Sequence, residues 1–563
     1  MSGLGKEFDY RVPARWADQV DIGTVVRVDL HGRRVAAWVV AVDVEPPAGV
    51  ELRTITKVSS VGPPADVIEL ANWTAHRWSG RPAAVLRTAS PPRTVAAFGQ
   101  IRDRRPGRLE IEPSISERLD QPGVTVVRVA PTDDGSQWAA AAALRGNALV
   151  LCPGVGWARR LAGQLGRQGI RAHLQPGGWA GGATGGVVVG TRSAAFAPTA
   201  PLDTVIVLDE HDEALQEERN PTWHARDVAI ERARRAGAPC LLISPAPSLS
   251  ALAAADRVLP VSRSEERRGW PAVEVIDRRS EEPGRGGLFS DRAAEVLRTA
   301  DRPVAILNRK GRAAMLACAS CGELVRTEDG TRLMVERDGG LVQPETGETR
   351  PMICAVCTGT TLKRIRLGVT RAAEELAHLV GRQVTELSAD TDRLERGAVV
   401  LGTEAALHAD LDADAVVFLD MDQELLAPRY RAAEQAMGLL VRAARLIGGR
   451  RQGSPIVVQT RSPEHRVLRA AVAADPSRLV EEERAVRAAI GFPPTGALAE
   501  VGGAGAAAFL APLAGRDGVM VLGPREDGRH LVRTDDADSL ADVLASLPRP
   551  KERVRVAVDP PRA

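Results

Sequence analysis

Short apolar runs alternate with helical stretches from about residue 121 onward, and this alternation limits the fold more than any other feature of the sequence. The runs lack the polar–apolar alternation of a half-exposed strand, so they are typical of strands buried on both faces of a parallel sheet. They form two sets, at residues 124–129, 148–152, 186–190, 205–208 and 240–243, and then at 303–307, 399–402, 415–419 and 455–459. Between strands, residues 223–236 carry small apolar residues on one helical face. The sequence therefore predicts two doubly wound α/β lobes in tandem.

The 563-residue chain is too long for a single hydrophobic core, so we expect several domains. The first 60 residues are β-like, because apolar runs flank the turn signal His31-Gly32. We predict an α/β multidomain protein. Its regions are a β-rich N-terminal domain at 1–92, a linker or reduced small domain at 93–120, a first lobe at 121–262, a second lobe at 263–460 with an insertion at about 316–360, and a C-terminal α+β domain at 461–563.

The formal net charge is only +2, so no overall basic field indicates a polyanionic partner. Any contact with nucleic acid must therefore come from a local basic patch. The N-terminus lacks the apolar stretch of a signal peptide, and no run of about 20 apolar residues is long enough to span a bilayer. We expect a soluble, cytoplasmic protein with no membrane partner.

Four of the six cysteines form two C-x-x-C pairs, Cys318/Cys321 and Cys354/Cys357. Two such pairs can supply four thiolates to a closed, structural zinc site, and we predict one Zn²⁺ ion there. A redox dithiol and a chance arrangement are the alternatives. The remaining two cysteines, Cys152 and Cys240, lie in apolar strands and are expected to be buried core thiols.

Several phrases occur in one order through nearly the whole chain: Phe8-Asp9-Tyr10, Val12-Pro13, Gly190-Thr191-Arg192-Ser193-Ala194, Phe196-Ala197-Pro198, Val207-Leu208-Asp209-Glu210-His211-Asp212, Ala225-Arg226-Asp227-Val228-Ala229, Leu307-Asn308-Arg309-Lys310-Gly311, Gly402-Thr403, Leu419-Asp420-Met421-Asp422 and Val521-Leu522-Gly523-Pro524. Their order and spacing resemble the PriA family of primosomal proteins, the replication restart proteins of helicase superfamily 2. The resemblance implies two RecA-like helicase lobes, an N-terminal domain that binds the 3′ end of a DNA strand, and a zinc-binding insertion. Residues 93–120 would then be a linker or a reduced winged-helix region.

The resemblance also implies which residues contact DNA. The family's pocket for a 3′ end maps onto Phe8, Asp9, Gly32 and Arg53, where an aromatic face stacks a base and a carboxylate accepts the 3′-hydroxyl. Helicase turns that hold a single strand map onto Arg192 and Thr403. Under the alternative interpretation Phe8 is a core residue, Arg53 is solvated, and the two turns are purely structural.

The nucleotide-binding motifs of the family are altered. A P-loop needs a lysine that reaches the phosphates, yet no lysine lies between Lys57 and Lys310. The corresponding stretch carries two aspartates instead, and it contributes Asp133, Asp134, Gly135 and Ser136 to a degenerate nucleotide site.

The remaining phosphate-handling parts have changed as well. Asp209 and Glu210 would hold Mg²⁺ in an active relative, but without a P-loop we interpret them as inherited surface acids at a strand end. The family's Ser-Ala-Thr-Pro turn has lost its threonine at 244–247, and its arginine motif has lost its glutamine and spacing at 441–448. We therefore expect that ATP and Mg²⁺ are not used and that the protein is not an enzyme.

These observations predict a degenerate member of the family that binds forked or single-stranded DNA at stalled or collapsed replication forks. It would initiate replication restart by recruiting primosome partners, with primosome and single-strand-binding proteins as its protein contacts, in the cytoplasm at the nucleoid. An ATP-dependent 3′→5′ DNA helicase is the first alternative. A zinc-stabilised adaptor that binds only proteins is the second.

Overall fold

The fold is seen in a computed structural model. It describes residues 6–46, 49–101, 115, 119, 121–279, 288–308, 315–321, 323, 325, 327, 334–337, 339–343, 348–365, 369–387, 398–409, 411–450, 454–525 and 527–561. Most of the predicted linker or winged-helix region at 93–120 therefore lies outside the described residues. Within the described part, no helix combines the length and the apolar character that crossing a membrane requires.

The regular elements are numbered here in chain order. The strands are β1 Val25–Leu30, β2 Arg33–Trp38, β3 Lys57–Ser60, β4 Val124–Arg128, β5 Ala148–Leu151, β6 Ala172–Leu174, β7 Val187–Gly190, β8 Thr204–Leu208, β9 Cys240–Ser244, β10 Arg257–Leu259, β11 Val273–Asp277, β12 Pro303–Ile306, β13 Met315–Cys318, β14 Val335–Arg337, β15 Gly340–Val342, β16 Thr349–Arg350, β17 Leu362–Ile365, β18 Val384–Leu387, β19 Val399–Gly402, β20 Ala415–Phe418, β21 Ile456–Thr460, β22 Ala497–Gly502, β23 Met520–Leu522, β24 His530–Thr534 and β25 Arg555–Val558. The α-helices are α1 Ala65–Arg77, α2 Pro82–Ala89, α3 Ser136–Arg145, α4 Val155–Arg167, α5 Ala225–Ala236, α6 Leu249–Ala254, α7 Arg263–Gly269, α8 Asp291–Thr299, α9 Val369–Val380, α10 Asp422–Leu425, α11 Ala432–Ile447, α12 Arg466–Val472, α13 Ser477–Ile490, α14 Ala506–Leu510 and α15 Ala537–Ser546.

Two parallel sheets form the centres of the two lobes. The first has the strand order β10-β4-β9-β8-β5-β7-β6, and the second has the order β11-β21-β20-β12-β19-β18. Every residue of β5, β7, β8 and β9 is buried, which explains why these strands show no polar–apolar alternation. The predicted fold class, α/β with parallel sheets and a β-rich N-terminal domain, is confirmed.

The N-terminal sheet is antiparallel, with β1 between β2 and β3. The β1–β2 hairpin turns at His31 and Gly32, whose φ angles are 49° and 75°. Two consecutive positive φ angles match the twist of the flanking strands, and glycine adopts such an angle without steric cost. A small core of Val26, Val28 and Ile55 lies on one face of the sheet.

Both ends of the chain pack onto the first lobe. Helices α1 and α2 share one hydrophobic core with strands of the first lobe and with the antiparallel C-terminal sheet, which has the order β23-β24-β22-β25. Trp78 and Trp223 are almost completely buried in this core. The indole of Trp179 donates a 2.8 Å hydrogen bond to the carbonyl of Ala89 at the end of α2. Helices α12 and α13 pack instead in the core of the second lobe.

A buried arginine connects α13 to α11. Arg487 is 1% exposed, and its guanidinium donates to Glu434 of α11 at 2.5 Å and lies 3.4 Å from Glu483. Glu434 also accepts a 2.8 Å hydrogen bond from the backbone N–H of Leu249 in the first lobe. Burial alone would raise the pKa of Glu434, but the nearby guanidinium groups outweigh burial and hold that pKa below its usual value.

We predict that Arg487→Met lowers the free energy of unfolding by about 3–5 kcal/mol, because it removes a fully buried guanidinium from Glu434 and leaves the buried Glu483 with Arg466 alone. Denaturant unfolding followed by circular dichroism measures this change. Arg484→Met is the matched control, since Arg484 is exposed on the same helix and its loss should matter little. A loss below about 1 kcal/mol for Arg487→Met would contradict the structural role of this arginine.

Candidate functional site

The four predicted cysteine ligands lie together at the base of the insertion. Cys318 ends β13, and this strand pairs with β17 so that Cys318 is opposite Leu362. The Sγ atoms of Cys318 and Cys357 are 3.4 Å apart, those of Cys321 and Cys354 are 3.5 Å apart, and all four sulfurs lie within 4.8 Å of one another. A tetrahedral zinc site with Zn–S bonds of about 2.3 Å needs similar separations. The cluster could hold a metal ion and is consistent with structural zinc.

Backbone N–H groups favour the thiolate form of Cys318. Those of Cys321 and Ser320 point at its sulfur and lower its pKa to about 6, whereas the neighbouring cysteines raise the pKa of Cys321 and Cys357. The thiolate is the form that binds metals. Gly359 allows this close packing, because a Cβ atom there would lie only 3.1 Å from the sulfur of Cys318. In contrast, Cys152, directly after β5, and Cys240, at the start of β9, are buried in the first lobe, as expected of core thiols.

The turn at residues 133–136, where the sequence predicts a degenerate nucleotide site, is closed by its own carboxylates. Asp133 accepts a 2.8 Å hydrogen bond from the N–H of Gly135, and Asp134 accepts a 2.9 Å hydrogen bond from the N–H of Ser136. These N–H groups precede and begin α3, where free N–H groups of a helix N-terminus would bind a phosphate. Burial raises the pKa of Asp133. The structure thus places all four residues of the predicted degenerate site in one turn, with the anion-binding groups already occupied.

An arginine from the second lobe enters this turn. Arg445 of α11 donates to the carbonyl of Pro131 at 2.8 Å and to that of Asp133 at 3.2 Å. Its guanidinium also forms a two-point ion pair with Asp209, with one contact at 3.0 Å, and lies over the ring of Trp157 at 4.5 Å from the centroid. The positive charge of Arg445 therefore lies beside the carboxylate that would hold Mg²⁺ in an active relative.

The interpretation of the acidic motif as surface acids is wrong. Asp209 and Glu210 are 3% and 0% exposed, because each is enclosed by protein donors. Glu210 accepts from the N–H and the hydroxyl of Ser248 at 2.7 and 2.8 Å, and lies 3.4 Å from Arg226. Asp209 is paired with Arg445, which comes from the other lobe.

A second ion pair lies beside the first. Arg442, three residues before Arg445 on α11, binds Asp212 in a two-point pair at 2.8 and 2.9 Å. Burial alone would raise the pKa of Asp212, but Arg442 and the neighbouring histidines lower it overall. The altered arginine motif therefore still supplies arginines to the first lobe, although their spacing gave no indication of this at the level of sequence.

The two predicted single-strand turns follow equivalent strands, β7 and β19. The guanidinium of Arg192 donates to the carbonyl of Ala214 at 3.2 Å and lies 3.4 Å from Glu217. The hydroxyl of Thr403 accepts from the N–H of Ala405 at 3.4 Å. Both side chains are engaged within the protein, and a DNA-binding role for them stays a prediction.

The N-terminal pocket residues are all on the surface. Phe8 is 45% exposed and is therefore not a core residue. Asp9, Gly32 and Arg53 are also exposed, and no atom lies within 4 Å of a Cβ built on Gly32. Backbone pairing aligns this segment with Arg53, since the N–H of Arg11 donates to the carbonyl of Arg53 at 2.8 Å.

Comparison with known proteins points to one family. A family profile described as a 3′DNA-binding domain (3′BD) of PriA matches residues 2–91. The replication restart protein PriA of Bacillus subtilis is 27% identical over 345 residues, which is 55% of this chain and 42% of that protein. The probable replication restart protein PriA of Mycobacterium tuberculosis H37Rv is 29% identical over 571 residues, 89% of this chain and 85% of the relative. These similarities support a relationship between this chain and the PriA family. The chain thus aligns with less than half of the Bacillus protein and with most of the mycobacterial one.

The PriA 3′BD profile covers more than the small N-terminal sheet. Its matched span includes α1 and α2, which share the core of the first lobe. All four predicted pocket residues fall inside it. Together with the relatives, the profile supports a DNA-binding replication restart protein.

We predict that Arg445 and Asp209 are energetically coupled. Arg445→Ala should lower the free energy of unfolding by about 3–5 kcal/mol, because it leaves Asp209 buried without its countercharge. The Arg445→Ala/Asp209→Ala double variant should lose about 1–3 kcal/mol less than the sum of the single variants in denaturant unfolding.

The control for this comparison of single and double variants is the exposed pair Arg302 and Asp412, whose side chains are 47% and 71% exposed. Its coupling should stay below about 1 kcal/mol. Additive effects of Arg445→Ala and Asp209→Ala would show that the inter-lobe pair does not stabilise the protein.

Proposed function

We propose that this chain is a primosomal protein that recognises stalled or collapsed replication forks and initiates replication restart without using ATP. It recruits primosome and single-strand-binding proteins, and it works at the nucleoid, where replication forks are. The observation that carries the proposal is the combination of a 3′DNA-binding match at residues 2–91 with a nucleotide turn that Arg445 fills.

The exposed N-terminal residues have the chemistry that a strand end requires. The face of Phe8 is free to stack on a terminal base. The carboxylate of Asp9 can accept a hydrogen bond from a 3′-hydroxyl, and Arg53 can neutralise a phosphate. The open space beside Gly32 lets a sugar approach the backbone closely.

The inter-lobe contacts support an ATP-independent mechanism. A nucleotide would have to displace Asp133 and Asp134 from the N–H groups at the start of α3. The first lobe has no lysine that could bind the phosphates and offset the loss of these hydrogen bonds. The nucleotide would also have to separate Arg445 from Asp209. Both exchanges would replace contacts that the protein already makes, the second of them between its lobes.

Helix α11 forms these contacts along one side. Counted from Arg431 at its N-cap, the other contacting residues lie 3, 4, 11 and 14 positions further on, which keeps them on one helical face. They reach the first lobe or the C-terminal segment, and they are Arg431, Glu434, Gln435, Arg442 and Arg445. We infer that this face of α11 keeps the lobes together whether or not nucleotide is present.

We predict that purified protein binds a model fork with the same affinity in the presence and absence of ATP and Mg²⁺, and that DNA does not stimulate ATP hydrolysis. Phe8→Ala should weaken binding about tenfold, since stacking on one base contributes about 1–3 kcal/mol. Fluorescence anisotropy with a labelled fork that ends in a 3′-hydroxyl, and a phosphate-release assay, measure the two quantities. Val12→Ala is the control, because Val12 is also exposed and lies outside the pocket.

Two results would favour the alternatives. DNA-stimulated ATP hydrolysis together with unwinding of the model fork would establish the helicase. Absence of any fork binding, combined with binding to primosome proteins, would establish the adaptor.

We also predict one structural zinc ion per chain. Cys354→Ser should lose the metal and lower the thermal unfolding midpoint, because three thiolates hold Zn²⁺ less tightly than four. Elemental analysis after gel filtration, together with a thermal melt, checks this expectation. Ser320→Ala, an exposed change between two of the ligands, should retain the zinc. Metal-free protein with an unchanged melting temperature would contradict a structural metal site.

A further inference from the structure

The N-terminal sheet has one packed face and one open face. Val26 and Val28 of β1 point into the small core, together with Val58 of β3. Because side chains alternate along a strand, Arg27 of β1 points to the opposite face. Arg27 and Lys57 are both exposed there.

A β-bulge places these two cations side by side. In the β1–β3 register Val25 is opposite Ser60, but Val26 is opposite Val58, so Ser59 is an extra residue. Arg27 is consequently opposite Lys57. Without the extra residue, Lys57 would be opposite Val28 on the packed face, and Val58 would be exposed beside Arg27.

This arrangement opposes two like charges across neighbouring strands. Such a pair destabilises a sheet by roughly 0.2–1 kcal/mol. In the described part of the chain neither Arg27 nor Lys57 has an ion-pair partner, whereas Arg34 on the same face lies 3.8 Å from Asp29. On the other side of Arg27 the cross-strand neighbour is Ala36, a small residue that leaves both cations accessible.

We propose that Arg27 and Lys57 form a phosphate-binding site for the backbone of a DNA strand, separate from the strand-end pocket. The inference rests on the proposed DNA-binding function and extends it to a second surface. The acid nearest to them along β1 on this face, Asp29, lies beside Arg34. Two adjacent cations without an ion-pair partner in the described part of the chain match a polyanion whose charges repeat at short intervals. Arg27 lies three residues before the end of β1 at Leu30, about 10 Å at about 3.3 Å per residue, and Gly32 lies in the turn beyond it, so the site contacts phosphates further along the strand than the bound 3′ end.

The test is the salt dependence of fork binding by the full chain. Each phosphate contact contributes about 0.9 to the slope of log K against log salt concentration on duplex DNA. Arg27→Gln/Lys57→Gln should lower that slope by about 1.8 and leave the preference for a 3′-hydroxyl over a 3′-phosphate end unchanged. Phe8→Ala should leave the slope unchanged and weaken the preference for a 3′-hydroxyl end. Arg234→Gln/Arg469→Gln removes two exposed, acid-paired charges elsewhere and should leave the slope unchanged.

The thermal unfolding midpoint of the Arg27→Gln/Lys57→Gln variant shows whether the substitutions affect folding. Because the double substitution removes a like-charge pair, its thermal midpoint should equal or slightly exceed that of the wild type. A wild-type slope in Arg27→Gln/Lys57→Gln overturns this proposal while leaving fork binding intact. Competition by polyglutamate of matched charge as effective as that by single-stranded DNA would also overturn it and indicate an acidic protein partner. Failure of the wild type to bind any fork would overturn the proposed function itself.

Discussion

Two arginines, one turn apart on α11, bind two aspartates that follow strand β8 of the first lobe. Arg442 pairs with Asp212 and Arg445 with Asp209, and in both pairs the aspartate is 3% exposed. The partners are 230 and 236 residues apart in the chain, so these contacts join the two lobes rather than neighbouring elements. A buried carboxylate that loses its only countercharge is costly, which makes the relative position of the lobes sensitive to either arginine.

The same contacts decide the chemistry of the cleft. In a nucleotide-driven lobe pair, phosphate and Mg²⁺ occupy the space between a helix N-terminus and an acidic strand end. Here Asp133 and Asp134 satisfy the N–H groups at that helix, and the guanidinium of Arg445 satisfies the strand-end acid. Side-chain and backbone groups of both lobes thus meet in this cleft. This is the physical basis for proposing a fork-binding protein in which nucleotide plays no part.

Packing, rather than charge, fixes the N-terminal module. Helices α1 and α2 share their core with the first lobe and with the C-terminal sheet. The indole of Trp38 donates a 2.9 Å hydrogen bond to Ser90, which ties strand β2 to the end of α2. The N-terminal domain that carries Phe8 and Arg27 is thus anchored through α1 and α2, which share a core with the first lobe and the C-terminal sheet.

The sequence by itself determined the features that depend on local pattern. Fully apolar runs predicted the buried parallel strands, and His31-Gly32 predicted the hairpin turn. The spacing of Cys318 and Cys354 within their C-x-x-C pairs likewise identified the candidate metal ligands. Each of these inferences needs only neighbouring residues, because backbone geometry and side-chain periodicity act over a few positions.

Only the tertiary structure decided which partners the charged and exposed residues have. The sequence indicated that Asp209 was a surface acid, yet burial against Arg445 from the other lobe makes it a structural one. It also left open whether Phe8 was in the core, and a single extra residue at Ser59 determines which face Lys57 occupies. Such outcomes depend on contacts between distant segments and on strand register, which no local pattern encodes.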